Sequence, residues 1–537
     1  MTTDGPDGLA AERRWRVAAV LLAVALLPLM LWASRDFGVT WDEMHRQANG
    51  ERIWLLYQGI VREPDTPAEH LYGGLFDVLA VALQPKLPFD IFDTRHFVNA
   101  FFGWIGIVSC GLVAGRAAGP RAAFLAIVAL AAWPSYFGHS MNNPKDAPFA
   151  ALSVLALSVM AWTPTRFPYL DWPRILALAV VLGLTLGVRP GGLLLLPYAV
   201  LWIAATLWAV RETNPRRLAA TAAALATVGV LAGFVPIPVW PYLWERPFVG
   251  ILEAVEGVSH YEWFGSVLFD GRDVRSNDLP WTYVPAWLLL RTPPVLLAGV
   301  AASVAIFASA GLRRRVVVGL WFAAIFPIVY VIARNSTLYD GLRHLLFILP
   351  PLAALAALGW DELLRRTQGG ARTLVMAIGL VGLAEPLVFQ LRNHPNQTVY
   401  FSPLNGGPSA AYARYELDYW GNCLYEALRD TAEIARAANA PVTVSGRQDR
   451  QLLLNARRVP EVAVVAPHRR LHEIEINLMR GRARDLRAFA TRTDVLWWIT
   501  TSDGARLCAV QRGPQFERLV DRLRARGALH MLREADD

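Results

Sequence analysis

Two short acidic strings stand out as candidates for chemistry. The first is Thr40-Trp41-Asp42-Glu43-Met44-His45. Adjacent carboxylates here can supply a general base and a group that holds an acceptor or a metal. A positioned base contributes about 10²–10⁴-fold to a rate. Equally, Asp42 can open a helix over the amphipathic stretch from Met44 to Gly59. The second string is His139-Ser140-Met141-Asn142-Asn143-Pro144-Lys145-Asp146. Lys145 can bind a phosphate and Asp146 can steer a hydroxyl, or Asp146 can favour a helix N-terminus.

A set of cations could serve these acids: Arg62, Lys145, Arg189, Arg343 and His344. A departing phosphate gains negative charge, which fixed cations stabilise in the transition state. The arginine fork also matches phosphate oxygens. The alternative for each is to snorkel towards lipid headgroups. His45, His70, His260, Glu262 and Trp263 are candidates for holding a sugar or an acceptor. The other aromatics near them fit an interfacial belt.

The elements that must position these residues are membrane helices. Of 537 residues, 54% are hydrophobic and 18% charged, against about 25% charged in soluble proteins. Apolar blocks have the length of about 20 residues that a helix needs to cross a bilayer. Eleven fall at about 17–34, 97–115, 122–138, 147–162, 174–188, 192–210, 218–240, 284–310, 316–333, 345–360 and 372–390. The first follows Arg13, Arg14 and Arg16 without a cleavage site, so it is expected to be retained. Residues 71–84, apolar but short and carrying Asp77, are expected to lie at the interface or to re-enter.

Arginines gather in alternate loops, including Arg116 and Arg121, Arg313 to Arg315, and Arg365, Arg366 and Arg372. Positive loops stay in the cytoplasm. The N-terminus is then inside, and loops 35–96 and 241–283 lie outside with the tail. Both lysines, Lys86 and Lys145, fall outside too, as do seven histidines and most boundary carboxylates. One-sided polar clustering at a membrane marks a site.

The expected fold class is therefore an α-helical polytopic membrane protein with about eleven spans over 1–390, followed by a small extracytoplasmic α/β domain over 391–537. In that tail Glu426 to Ala437 and Phe516 to Arg526 read as helices. Pro441 to Ser445, Val462 to Ala466, Asp494 to Thr500 and Leu507 to Gln511 read as strands. Cys423 and Cys508 can pair there or remain free. No P-loop, dinucleotide fingerprint or zinc motif is present. The net charge of +8 belongs to topology-setting loops, and nucleic acid is not expected as a partner.

An Asp-Glu pair in the first outer loop, about eleven spans and an external C-terminal domain together resemble the GT-C glycosyltransferases. The similarity is to the branch holding protein O-mannosyltransferases and lipid A aminoarabinose transferases. HSMNNPKDAPFA (139–150), LPWTYVPAWLLLRTPP (279–294), DGLRHLLFILPPLAALAALG (340–359) and HPNQTVYFSPLNGG (394–407) carry it. The resemblance implies a polyprenyl-phosphate sugar as donor, Asp42 as base, Glu43 as its partner and Asp146 as the second acidic position. It also implies inversion at the anomeric carbon. Some members bind a divalent metal through paired acids at the second motif. Here that motif is Asn-Asn-Pro-Lys-Asp, so Lys145 is expected to take the metal's place and no cofactor is expected. The expected location is a bacterial inner membrane with the tail in the periplasm. The competing expectation is a transporter or flippase for lipid-linked sugars. The break at Arg189-Pro190-Gly191-Gly192 favours it, whereas one-sided polarity and the lack of an internal repeat do not.

Overall fold

A computed structural model describes residues 6–61, 71–259, 261 and 263–532. Seven helices among them are long and apolar enough to cross a membrane: Gly8–Asp36, Ile91–Ala118, Pro190–Ala209, Pro215–Val239, Gly311–Ala333, Arg343–Arg366 and Gly369–Arg392. Two bent pairs, Pro120–Ala131 with Pro134–Asn142 and Tyr283–Arg291 with Pro294–Ala308, raise the number to nine. Both bends sit at proline. Trp133 and Thr292, which precede Pro134 and Pro293, have extended backbones (ψ 105° and 126°), as the ring of a following proline demands.

All eleven predicted segments fall on these helices or on two shorter apolar ones, Asp146–Ala161 and Trp172–Leu186. The shorter two hold 16 and 15 residues. At 1.5 Å per residue each is about 23 Å long, less than the ~30 Å hydrocarbon core. The structure therefore supports seven to nine spans by length and composition, where the sequence predicts eleven. Asp146–Ala161 is buried along most of its length, so neighbouring helices surround it.

Ion pairs gather at both ends of the bundle. At one, Asp361 accepts Arg121 Nε at 2.7 Å and Arg365 Nε at 2.6 Å. Beside it Glu362 forms an ion pair with Arg313 at 2.5 Å and accepts Arg366 Nε at 2.6 Å. Three loops predicted to share a face are thus joined by ion pairs. Arg343 begins the same helix and stands at its opposite end. Segment 71–84 forms the helix Leu75–Leu83, whose Asp77 is fully buried between Arg46 and Arg95 and accepts Asn49 Nδ2 at 2.9 Å.

Beyond Arg392 the chain builds a five-stranded mixed sheet in the order Val462–Val464, Val442–Ser445, Ile474–Leu478, Arg506–Arg512, Val495–Thr500. The first three strands are parallel and the last two pairings antiparallel. The predicted strands and helices are present. The central strand Ile474–Leu478 and the helices Asp449–Ala456 and Ala483–Phe489 are additional. A disulfide joins Cys423, in the helix Asn422–Ala437, to Cys508 in the sheet. Cys110 is free and buried.

Candidate active site

Asp42 lies in the first turn of the helix Trp41–Tyr57. Glu43 starts that helix: its carboxylate accepts the Thr40 backbone N–H at 2.8 Å and the Thr40 hydroxyl at 3.2 Å. It also pairs with His96 Nε2 at 3.0 Å. This reciprocal cap satisfies amide groups that a helix start leaves open. Neighbouring helical residues point about 100° apart, so Glu43 enters the interior while Asp42 turns to the other side. Glu43, expected from the sequence to partner Asp42, caps this helix and pairs with His96.

On that other side Asp42 Oδ2 is 2.9 Å from Lys145 Nζ and 3.3 Å from Arg343 Nη1. Burial raises the pKa of this carboxyl, but the charges of Lys145 and Arg343 outweigh it and hold the group well below the usual carboxylate range. The backbone leading to Asp42 is clamped from two directions. Asn455 Oδ1 accepts the Val39 N–H at 2.9 Å, and Gln451 Nε2 donates to Val39 O at 2.9 Å. Asn142 Nδ2 donates to Gly38 O at 2.9 Å, and the Thr40 hydroxyl to Asn142 O at 3.2 Å. The two acidic strings and the C-terminal region thus meet.

Asp146 opens the helix Asp146–Ala161, as the helix-start reading of the second string expects. Asn143 Oδ1 accepts the backbone N–H of Lys145 at 3.3 Å and of Asp146 at 3.0 Å, shaping the start of the helix Asp146–Ala161. Asn143 Nδ2 then donates to Asp146 Oδ2 at 2.9 Å, and Arg189 pairs with the other Asp146 oxygen. Behind them His139 Nδ1 accepts the Trp420 indole N–H at 3.2 Å, and Nε2 is 2.9 Å from the Tyr419 hydroxyl. An indole nitrogen only donates, so His139 Nδ1 is the unprotonated nitrogen.

Aromatic rings frame the cations. The Arg343 guanidinium lies 4.9 Å from the ring centres of both Tyr339 and Trp420. Trp263 stacks on Tyr339 at 4.4 Å, and His344 meets it edge-on at 4.5 Å. Tyr72 faces Lys145 at 5.2 Å, Arg189 at 5.7 Å and Arg46 at 5.9 Å. Burial raises the Tyr72 pKa, and Arg189 and Lys145 more than reverse this. Neither Tyr72 nor Tyr339 was singled out in the sequence. The glycine pair after Tyr72 is the available signal, because a Cβ on Gly73 would stand 2.1 Å from Gly187 O. Only glycine lets the two backbones approach and bring Tyr72 beside Arg189.

A cavity of about 470 Å³ opens at this cluster, with Arg189, Tyr72, Tyr339 and His344 at its polar part. Phe149, Leu194, Pro197, Val258, Phe326 and Phe347 form apolar wall. The cavity has the size and mixed lining of a ligand site.

The structure therefore brings together Asp42, Lys145, Asp146, Arg189, Arg343 and His344, with Trp263 attached through Tyr339. His45 is exposed, one turn along the helix from Asp42. Arg62, His70, His260 and Glu262 lie outside the described residues. Among the described residues no group of three or more His, Cys, Asp or Glu is placed to hold a metal. Asp42 and Asp146 are already engaged by Lys145, Arg343 and Arg189, so a divalent ion between them would face three fixed positive charges.

No sequence-family description and no curated protein matches the chain. Solved structures do. ArnT from Cupriavidus metallidurans bound to undecaprenyl phosphate is 14% identical, with a TM-score of 0.49 over 91% of this chain and 97% of that one. The Archaeoglobus fulgidus oligosaccharyltransferase in its apo form is 12% identical, with a TM-score of 0.45 over 87% and 69%. The S. cerevisiae protein O-mannosyltransferase Pmt1-Pmt2 complex bound to the sugar donor is 15% identical, with a TM-score of 0.36 over 50% and 40%. All three are GT-C glycosyltransferases.

Proposed function

We propose that the chain is a glycosyltransferase that moves a sugar from a polyprenyl-phosphate carrier to an acceptor hydroxyl on the outer face of a bacterial inner membrane. One observation carries this reading: an acid-cation cluster, Asp42 with Lys145 and Arg343, beside a cavity whose walls are apolar and whose polar part holds Arg189, Tyr72 and His344. A lipid phosphate has the matching chemistry, a hydrocarbon tail and an anionic head. The disulfide agrees with an oxidising compartment for the tail.

In this mechanism the donor phosphate enters among Lys145, Arg189 and Arg343, and competes with Asp42 for two of them. As their charge turns to the phosphate, Asp42 becomes a better base. Asp42 then takes the proton of the acceptor hydroxyl while its oxygen attacks the anomeric carbon. The bond from that carbon to the phosphate oxygen breaks, and its electron pair leaves with the polyprenyl phosphate. A single displacement of this kind inverts the anomeric carbon. Lys145, Arg189 and Arg343 stabilise the leaving group where its charge grows. In place of a metal, the three side chains supply that charge. Trp263, backed on one face by Tyr339, offers its other face to the sugar ring.

The test is reconstitution in liposomes with an extracted bacterial lipid-linked sugar fraction, following both glycoside formation and lipid translocation. Glycoside without translocation supports the transferase. Translocation without glycoside supports a flippase and overturns it.

A further inference from the structure

Arg343 is held by a second carboxylate besides Asp42. Its Nε lies 3.4 Å from Asp340 Oδ2. The remaining oxygen of Asp340 accepts Arg480 Nη2 at 2.6 Å. Arg480 comes from the C-terminal region, just after the strand Ile474–Leu478, and its Nη1 donates to Tyr419 O at 3.3 Å. A line of alternating charge thus runs from the external sheet to Asp42: Arg480, Asp340, Arg343, Asp42.

Asp340 occupies this place against its backbone preference. It and Gly341 both lie in the left-handed region, at φ +57° and +64°. A non-glycine residue there is strained and persists when its surroundings impose it. Asp340 is buried, and Glu416, also buried, lies close enough for its charge to be felt. Burial and Asp340 hold the Glu416 carboxyl well above the ordinary range, and the cations paired with Asp340 are Arg343 and Arg480.

We infer that Arg480 is a positioning residue for the phosphate site: by binding Asp340 it leaves the charge of Arg343 available to Asp42 and to the donor. Without Arg480, Asp340 is a buried carboxylate with one cation within reach. It then draws Arg343 into a full ion pair, because a buried unpaired charge is costly. The phosphate site loses one of its three fixed cations. This inference rests on the lipid-phosphate reading above.

The test measures affinity of the full chain in detergent for undecaprenyl phosphate, alongside thermal unfolding. Arg480→Gln is expected to weaken binding about tenfold, as for a coupling of about 1.4 kcal/mol. Adding Asp340→Asn removes the competitor and restores the affinity to within about threefold of wild type, a coupling of the sign and size expected for contacting charges. A purely structural role for Arg480 predicts no such rescue, since the second change does not restore the bond between the two regions. If Arg480→Gln alone does not fold, the double variant decides, because it leaves neither charge unpaired. Affinity near wild type supports the inference, and tenfold weaker binding overturns it. Unchanged binding by a folded Arg480→Gln, or a double variant as weak as the single, overturns the inference and leaves the transferase standing. No binding by wild type overturns both.

Discussion

Lys145 Nζ sits 2.9 Å from Asp42 Oδ2, joining two strings that lie far apart in the sequence. The pair sets the chemistry of the site in both directions. The ammonium keeps the carboxyl ionised and the carboxylate holds the ammonium in place.

Removing the ammonium separates these effects. Lys145 lowers the Asp42 pKa, so Lys145→Met raises it. The base must be ionised to act, and the acid limb of kcat/KM reports that ionisation in the free enzyme. The limb therefore moves to higher pH in Lys145→Met, and kcat falls about 10²–10³-fold through loss of one fixed donor to the leaving group. A pH–rate profile of both proteins checks this. An unmoved acid limb would contradict it.

Arg189 and Asp146 form a pair whose carboxylate is almost wholly buried. Breaking a buried pair from one side costs about 3–5 kcal/mol, while neutralising both sides costs much less. Arg189→Gln should destabilise the protein by that amount, and Asp146→Asn added to it should recover most of the loss. Donor binding should not recover, because the phosphate still lacks Arg189. Thermal unfolding and lipid-phosphate affinity of the three variants test both halves.

Which of these relationships were legible beforehand follows from what local spacing encodes. Asp42, Lys145, Asp146, Arg189, Arg343 and His344 share one end of the bundle because loop charge fixes topology, and topology alone brings such residues to one face. The direction of a side chain is not visible that way. Adjacency groups Glu43 with Asp42, and it does not show that the helix places Glu43 as a cap beside His96. Tyr72 and Tyr339 act through rings placed by tertiary contact. The line from Arg480 to Arg343 crosses a separation of 140 residues at Asp340, beyond any local pattern. In the tail, strand Ile474–Leu478 alternates apolar residues with Glu475 and Asn477 over only five positions, too short a pattern to mark it, although it is the middle strand of the sheet.

Glu416 makes stability depend on pH. Its carboxyl is raised by burial and by Asp340, so the folded chain holds its proton more tightly than the unfolded one. Its contribution is fully present below about pH 4.5, the ordinary value, and is lost as pH rises from there towards the folded pKa. Glu416→Gln cannot lose a proton. The drop in melting temperature between pH 6 and pH 9 should shrink in that variant, as thermal scans in detergent would show. An equal drop in both proteins would contradict the assignment.

The disulfide closes a loop with a sequence separation of 85 residues. On a chain-entropy basis it stabilises the tail by about 4–5 kcal/mol. Cys423 also neighbours Asn422, whose Oδ1 accepts Asn142 Nδ2 at 2.7 Å. Cys423→Ser or reduction should therefore lower both stability and transfer, whereas Cys110→Ser should leave transfer intact. Activity with and without a reductant, compared between the two variants, checks the difference.

Sugar transfer by Asp42→Asn is the most direct measurement of the central claim. Asparagine keeps the shape of the side chain and removes the negative charge that accepts the proton. With the protein in liposomes and a labelled lipid-linked sugar as donor, the account predicts that Asp42→Asn binds lipid phosphate at least as well as wild type and forms no glycoside above background. Glycoside formation at the wild-type rate would contradict it, since the hydroxyl would then have lost its proton to some other group.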